Sequence, residues 1–238
     1  ALPEVEVLEL PEKYLGSPFG IFLHPTVRQL RARVFDIALN GSAAYSSKAI
    51  MLLAAVRARY KLAIAHKTEP RIWKIALDDC RPMEIYLWEA HQLIRIAHVF
   101  KRAGLTLEVP PKAIHIRHPD QGLRIGLFPE SNRKQSQWPY EKWLDLATGL
   151  NDAGHEVNVF LSKKNKVPLP PILTSTHPEG TAALIAQIKT LDHVVCQEGG
   201  VSHLAAMLRL PVTVLSGVQI KDTWLPWTDG CCLIERAG

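Results

Sequence analysis

A chain of 238 residues, 47% of them hydrophobic, can bury a substantial core and is long enough for one large α/β domain or two domains of ordinary size. No apolar run approaches the roughly 20 residues of a membrane-spanning helix. The opening Ala-Leu-Pro-Glu lacks the basic-then-apolar pattern of a signal peptide. The formal charge of +5 is mild and scattered, which argues against nucleic acid as a partner and suits acidic small molecules or an anionic membrane surface.

In chain order, Val5–Leu10 alternates apolar and acidic residues like a half-buried strand, and 11–26 reads as a Pro- and Gly-rich loop. Because there is no initiator Met and the chain starts so close to a strand, further residues are expected before Ala1. Leu30–Arg33 leads into a nearly continuous apolar strand, Val34–Leu39, that ends in Asn40-Gly41-Ser42. A helix over Ser46–Arg57, a strand over Tyr60–Ala65 and a helix over Glu84–Ala103 follow, the last stopped by Gly104.

The composition shifts at Leu105–Gly122, where Pro110, Pro111 and Pro119 and the loss of periodicity indicate a linker between an N-terminal domain (1–104) and a C-terminal domain (123–238). Beyond it, strands are predicted at 123–128, 157–161, 193–197 and 211–215, and helices at 140–151, 181–189 and 201–209. Strands alternating with helices imply parallel sheets covered on both faces. Two such series imply two Rossmann-like domains facing a cleft.

The most informative stretch is His193–Leu208, where a short apolar strand passes through Glu198-Gly199-Gly200 into a helix that opens near Ser202 and His203. A strand feeding a helix through glycines places backbone N–H groups at a helix N-terminus, where they bind anions. A Cβ at Gly199 or Gly200 would obstruct that approach. Ser202 and His203 could donate to phosphate or ribose, and Glu198 could accept from ribose hydroxyls. Ser131, Arg133 and Lys134, between a strand and the Trp138-Pro139 helix start, form a second candidate anion loop. Each has a structural alternative: a plain turn for Gly-Gly, a packing residue for His203, a solvated loop for Arg133-Lys134. Trp138 and Trp143 are expected to pack a helix on the sheet, while Trp224 has a candidate role facing the site. The four cysteines, Cys80, Cys196, Cys231 and Cys232, have no metal-gripping spacing and read as reduced thiols. The histidines likewise lack ligand spacing, so no metal site is expected.

Three segments together resemble the heptosyltransferase-like glycosyltransferases of family 9, which have the GT-B fold. They are Arg124-Ile-Gly-Leu-Phe-Pro-Glu-Ser131 with Gln137-Trp138-Pro139 and Trp143; Gln197-Glu-Gly-Gly-Val-Ser-His-Leu-Ala-Ala206, similar to an Asp-Thr-Gly-x-x-His-x-Ala-Ala motif; and Pro211–Gly217 with Trp224-Leu-Pro226. Phe35–Ser42 resembles the strand bordering the acceptor side.

The resemblance implies a metal-independent glycosyltransferase with no cofactor, its nucleotide sugar being a substrate. A sugar, heptose from ADP-heptose being the expected case, would pass to a lipopolysaccharide-core or related glycan acceptor. Donor contacts would come from Ser131, Arg133, Lys134, Glu198, Gly199, Gly200, Ser202, His203 and Gly217, and acceptor contacts from Asn40, Gly41 and Ser42. The enzyme would be cytoplasmic, with peripheral contact to the inner membrane surface.

The chain departs from the family pattern at three places. No Leu-Gly-Asp loop precedes Val5, Ser136 stands where the family favours Lys, and Glu198-Gly199 replaces Asp-Thr. The catalytic residue therefore stays unassigned, and the N-terminal domain is expected to lack its first βα unit. A non-catalytic nucleotide-sugar-binding or assembly protein, and more distantly a nucleotide-sugar epimerase, remain open alternatives.

Overall fold

The computed structural model describes residues 8, 24–40, 47–63, 90–102, 104–112, 114, 122–131, 137–162, 169–217 and 222–235. The chain divides into two compact units, Ala1–Pro110 and Pro111–Gly238, the boundary falling within the Pro-rich 105–122 stretch. Both units are α/β with parallel strands.

In the first unit, α1 (Pro25–Ala32) precedes β1 (Val34–Asn40), and α2 (Ser47–Ala55) connects it to β2 (Arg57–Ala63), which pairs with β1 in parallel, Val34 opposite Arg57. Helix α3 (Gln92–Arg102) follows, and Leu62 and Val99 are fully buried with Ile37, Leu39 and Tyr60 packed against them. Helix α1 corrects the reading of a loop up to residue 26. Pro25 sits at its first position, where no backbone N–H is needed, and His24 caps it by accepting from the Thr26 N–H at 3.2 Å. Strand β2 begins at Arg57 rather than Tyr60, and residues 1–7, 64–89 and the Gly41-Ser42 turn lie outside the described residues.

The second unit is a six-stranded parallel sheet. It comprises β3 (Arg124–Phe128), α4 (Tyr140–Asp152), β4 (Glu156–Phe160), β5 (Thr174–Thr176), α5 (Gly180–Ile188), β6 (His193–Gln197), α6 (Gly200–Met207), β7 (Val212–Ser216), a 3-10 turn (Asp222–Trp224) and β8 (Cys231–Glu235), with strand order β5-β4-β3-β6-β7-β8. The sequence motifs did not anticipate β5, β8 or the 3-10 turn.

Alternation along the strands sorts side chains onto two faces. Ile125, Leu127, Val157, Val159, Val195 and Leu215 pack with Trp143 and Ala147 of α4. Phe128, Phe160, Val194, Cys196, Val212 and Val214 pack with Ile188 of α5 and Ala205 of α6. That double covering explains the near-continuous apolar strands. Two contacts tie β3 to its neighbours, the first to β4 and the second to the start of β6. The Phe128 and Phe160 rings stack at 4.4 Å. At the opposite end, the buried Asp192 carboxylate accepts from the Arg124 backbone N–H, Nε and Nη2, each at 3.0 Å.

Candidate functional site

The strand order reverses between β3 and β6: the chain moves outward to β4 and β5 from one, and to β7 and β8 from the other. Loops leaving the carboxyl ends of such a pair diverge and open a crevice. A cavity of about 1280 Å³ lies there, lined by Pro129–Ser131 after β3, Ser162 after β4, Thr181 and Leu184 of α5, Gln197–Gly200 after β6, His203, Leu204 and Met207 of α6, and Trp224.

Helix geometry decides which α6 residues face it. Gly200, His203, Leu204 and Met207 form one stripe toward the cavity, whereas Ser202, Ala205 and Ala206 lie buried on the opposite side. Ser202 is therefore not placed to meet a ligand: its Oγ donates to the Gly199 carbonyl at 2.8 Å, closing the first turn from within. Gly217 does not line this cavity; it lies with His193, Leu215 and Ser216 on a neighbouring one of about 880 Å³ that shares Gln137, Trp138 and Pro139 with it.

Gly199 has φ +154°, ψ −167°, a conformation open essentially only to glycine. Gly200 has no positive φ, and a Cβ built on it meets no atom within 4 Å. Protein packing thus gives no reason for glycine at 200, and its backbone N–H opens α6 toward the cavity without an intrahelical partner.

Two residues outside the motif-based expectations tie the site together. Gln197, 2% exposed, donates from Nε2 to the Pro129 carbonyl at 3.0 Å, joining the ends of β3 and β6. Its Oε1 lacks a hydrogen-bond partner among the described residues. Glu130 accepts from the Ser162 hydroxyl at 2.9 Å and from its backbone N–H, joining the loops after β3 and β4. Tyr140 Oη, buried at the cavity wall, also lacks a partner among the described residues; burial and then Glu130 push its pKa up, keeping the phenol neutral.

Ser131 lies on the wall, its carbonyl accepting from Gln137 Nε2 at 2.8 Å, while Arg133 and Lys134 lie outside the described residues. Asn40, in the first unit, is buried as the last residue of β1; Gly41 and Ser42 are not described. Burial pushes the Cys196 thiol up to about 12, an unreactive state. Trp138 and Trp143 meet edge to face at 5.5 Å, with Trp143 buried under α4 as a packing residue. Among the described residues, no group of three or more His, Cys, Asp or Glu is arranged to hold a metal, and no helix is long and apolar enough to cross a membrane.

A crevice at the switch point of a parallel sheet, edged by a Gly-Gly helix start, fits the sequence motifs noted above, and the family model for glycosyltransferase family 9 (heptosyltransferase) matches residues 24–235. The chain belongs to that family. Among solved structures, the Escherichia coli heptosyltransferase WaaC with ADP has a TM-score of 0.70 at 14% identity, the match covering 90% of this chain and 70% of that one. The family 9 glycosyltransferase from Veillonella parvula DSM 2008 also gives 0.70 at 14% identity, covering 94% and 70%. The Escherichia coli ADP-heptose lipopolysaccharide heptosyltransferase II gives 0.65 at 17%, covering 88% and 71%. At these identities the likeness is one of fold: α/β with parallel sheets, as in the GT-B heptosyltransferases. No curated protein matches the chain significantly.

Proposed function

We propose that this family 9 glycosyltransferase transfers a sugar from a nucleoside-diphosphate donor, ADP-heptose being the leading candidate, to a lipopolysaccharide-core or related glycan acceptor. The observation that carries the reading is Gly200, a glycine that protein packing does not require, opening a helix at the switch-point crevice. There the diphosphate meets the N–H groups and positive dipole end of α6, which stabilise charge building on the leaving group. Ser131 and His203 add donors from either side, joined by Arg133 and Lys134 from the β3–α4 loop. Glu198 accepts from the ribose hydroxyls. No metal has a step in this scheme; the helix and basic side chains provide the positive charge. Asn40, Gly41 and Ser42 contact the acceptor. The reaction takes place on the cytoplasmic side, with the basic chain peripheral to the inner membrane. Family membership supports the transferase class, and structural neighbours with ADP and with ADP-2-deoxy-2-fluoro heptose support a nucleotide-sugar donor.

The test is calorimetric titration with ADP-, UDP- and GDP-sugars, followed by a transfer assay on lipopolysaccharide core. Binding of ADP-heptose with product formation is expected. Binding without turnover would point to the non-catalytic alternative, and no binding by any of the three would overturn the proposal.

A further inference from the structure

The cavity at the switch point is longer than a diphosphate cradle requires, and its wall has a defined order. Lining residues follow β5 (Thr181), β4 (Ser162), β3 (Pro129–Ser131) and β6 (Gln197–Gly200), and the β7–β8 connection adds Trp224. Four strand spacings, ~19 Å at the usual separation, match an extended nucleotide sugar.

With the diphosphate at β3/β6, its two substituents leave in opposite directions. The side toward β5 is two strands long, with Glu130 and Ser162 on its wall. That side suits the longer arm, the nucleoside. The side toward β8 is shorter and ends at Trp224.

Trp224 is an unusual residue to leave in water. It is 45% exposed, the one aromatic among the exposed large apolar side chains of the described residues. The segment that presents it is fixed. Thr223 is 3% and Thr228 4% exposed, Pro226 is buried, Leu225 packs against the α5/α6 core, and the Gly230 N–H donates to the Thr228 hydroxyl at 3.1 Å. An exposed indole on a cavity wall of mixed polar and apolar character is the arrangement by which proteins meet a ring with apolar faces and hydroxylated edges.

We propose that Trp224 is the stacking platform for the transferred sugar and helps the enzyme distinguish nucleotide sugar from nucleotide. The inference rests on the donor site proposed above.

Calorimetry with ADP and ADP-heptose tests it on the wild-type chain, Trp224→Leu and Trp224→Tyr. Wild type is expected to bind ADP-heptose more tightly than ADP. Trp224→Leu should weaken ADP-heptose about three- to tenfold, the range of an aromatic contact, and leave ADP unchanged. Unchanged ADP affinity also reports that the variant is folded. Trp224→Tyr keeps a ring and should keep most of the sugar increment. If Trp224→Leu alters neither ligand, or if a folded Trp224→Tyr weakens both alike, Trp224 has no part in sugar recognition while the donor site stands. Wild type binding neither ligand removes the donor site and this inference together.

Discussion

Gly200→Ala separates the role of the glycine in folding from its role in binding. The added methyl meets no protein atom within 4 Å, and Gly200 lacks the positive φ of its neighbour Gly199. Exchanging glycine for alanine at a compatible backbone position removes freedom from the unfolded chain and stabilises by about 0.4–1 kcal/mol. The variant should therefore melt at or slightly above the wild-type temperature. Gly200 lines the cavity, so in the proposed donor site the same methyl would take up space beside the backbone N–H groups that open α6. Losing one hydrogen bond to a charged group costs about 1.5–3 kcal/mol, which is roughly a ten- to hundredfold rise in Kd for ADP. Scanning calorimetry and isothermal titration on the same preparation read both effects. Gly199→Ala is the contrast: at φ +154° it should cost about 1–3 kcal/mol of stability through strain alone. A Gly200→Ala protein that is fully stable and binds ADP as well as wild type would show that the phosphates do not rest on α6.

Three further outcomes follow from the fold. Asp192→Ala removes a 3%-exposed carboxylate that accepts three hydrogen bonds from Arg124, and should cost about 2–3 kcal/mol by urea denaturation, Arg124 being partly solvated. Burial holds the His193 pKa below its ordinary 6.5, so the unfolded state takes up a proton that the folded state resists. Its contribution is complete above that value and is lost as pH falls below it; the urea midpoint should drop toward pH 5, by less in His193→Gln. Arg209 has φ +62°, and Arg209→Gly should raise stability by about 0.5–1 kcal/mol in a thermal melt with ADP affinity unchanged.

The elements legible in the sequence were those whose environment is uniform. Strands β3, β6 and β7 lie between helices on both faces, so their apolar runs announce them, and the helices between them have clear ends. Strand β5, Thr174-Ser-Thr176, is a short polar edge with no such pattern, and β8 hides its alternation behind the adjacent Cys231 and Cys232. Helix α1 was masked because Pro25 reads as a breaker unless its place at the first turn is known. For the site, the Gly-Gly turn and Glu198 were legible because backbone approach leaves a compositional trace. Ser202 is close to the motif in sequence but not on its face: at 3.6 residues per turn, positions 200, 203, 204 and 207 align and 202 turns inward. Gln197 and Glu130 lie inside the motif segments, but nothing local marks them as site residues, since their partners Pro129 and Ser162 follow other strands.

The replacements at 198 and 199 bear on chemistry less than a motif comparison suggests. A phosphate at a helix N-terminus is held chiefly by backbone N–H groups and the axial dipole, which belong to the strand–turn–helix geometry rather than to a side chain. Glycine at 199 loses the family's hydroxyl but permits the φ +154° turn from which α6 starts, and the Ser202 hydroxyl steadies that turn through the Gly199 carbonyl. Glutamate at 198 keeps a carboxylate on the cavity wall with one more methylene of reach. In the donor site proposed above, the departures from the family motif would therefore act on how ribose and sugar are held, and would leave the diphosphate cradle to the fold. That is why affinity for ADP and the added affinity for its sugar should respond to different residues, Gly200 for the first and Trp224 for the second.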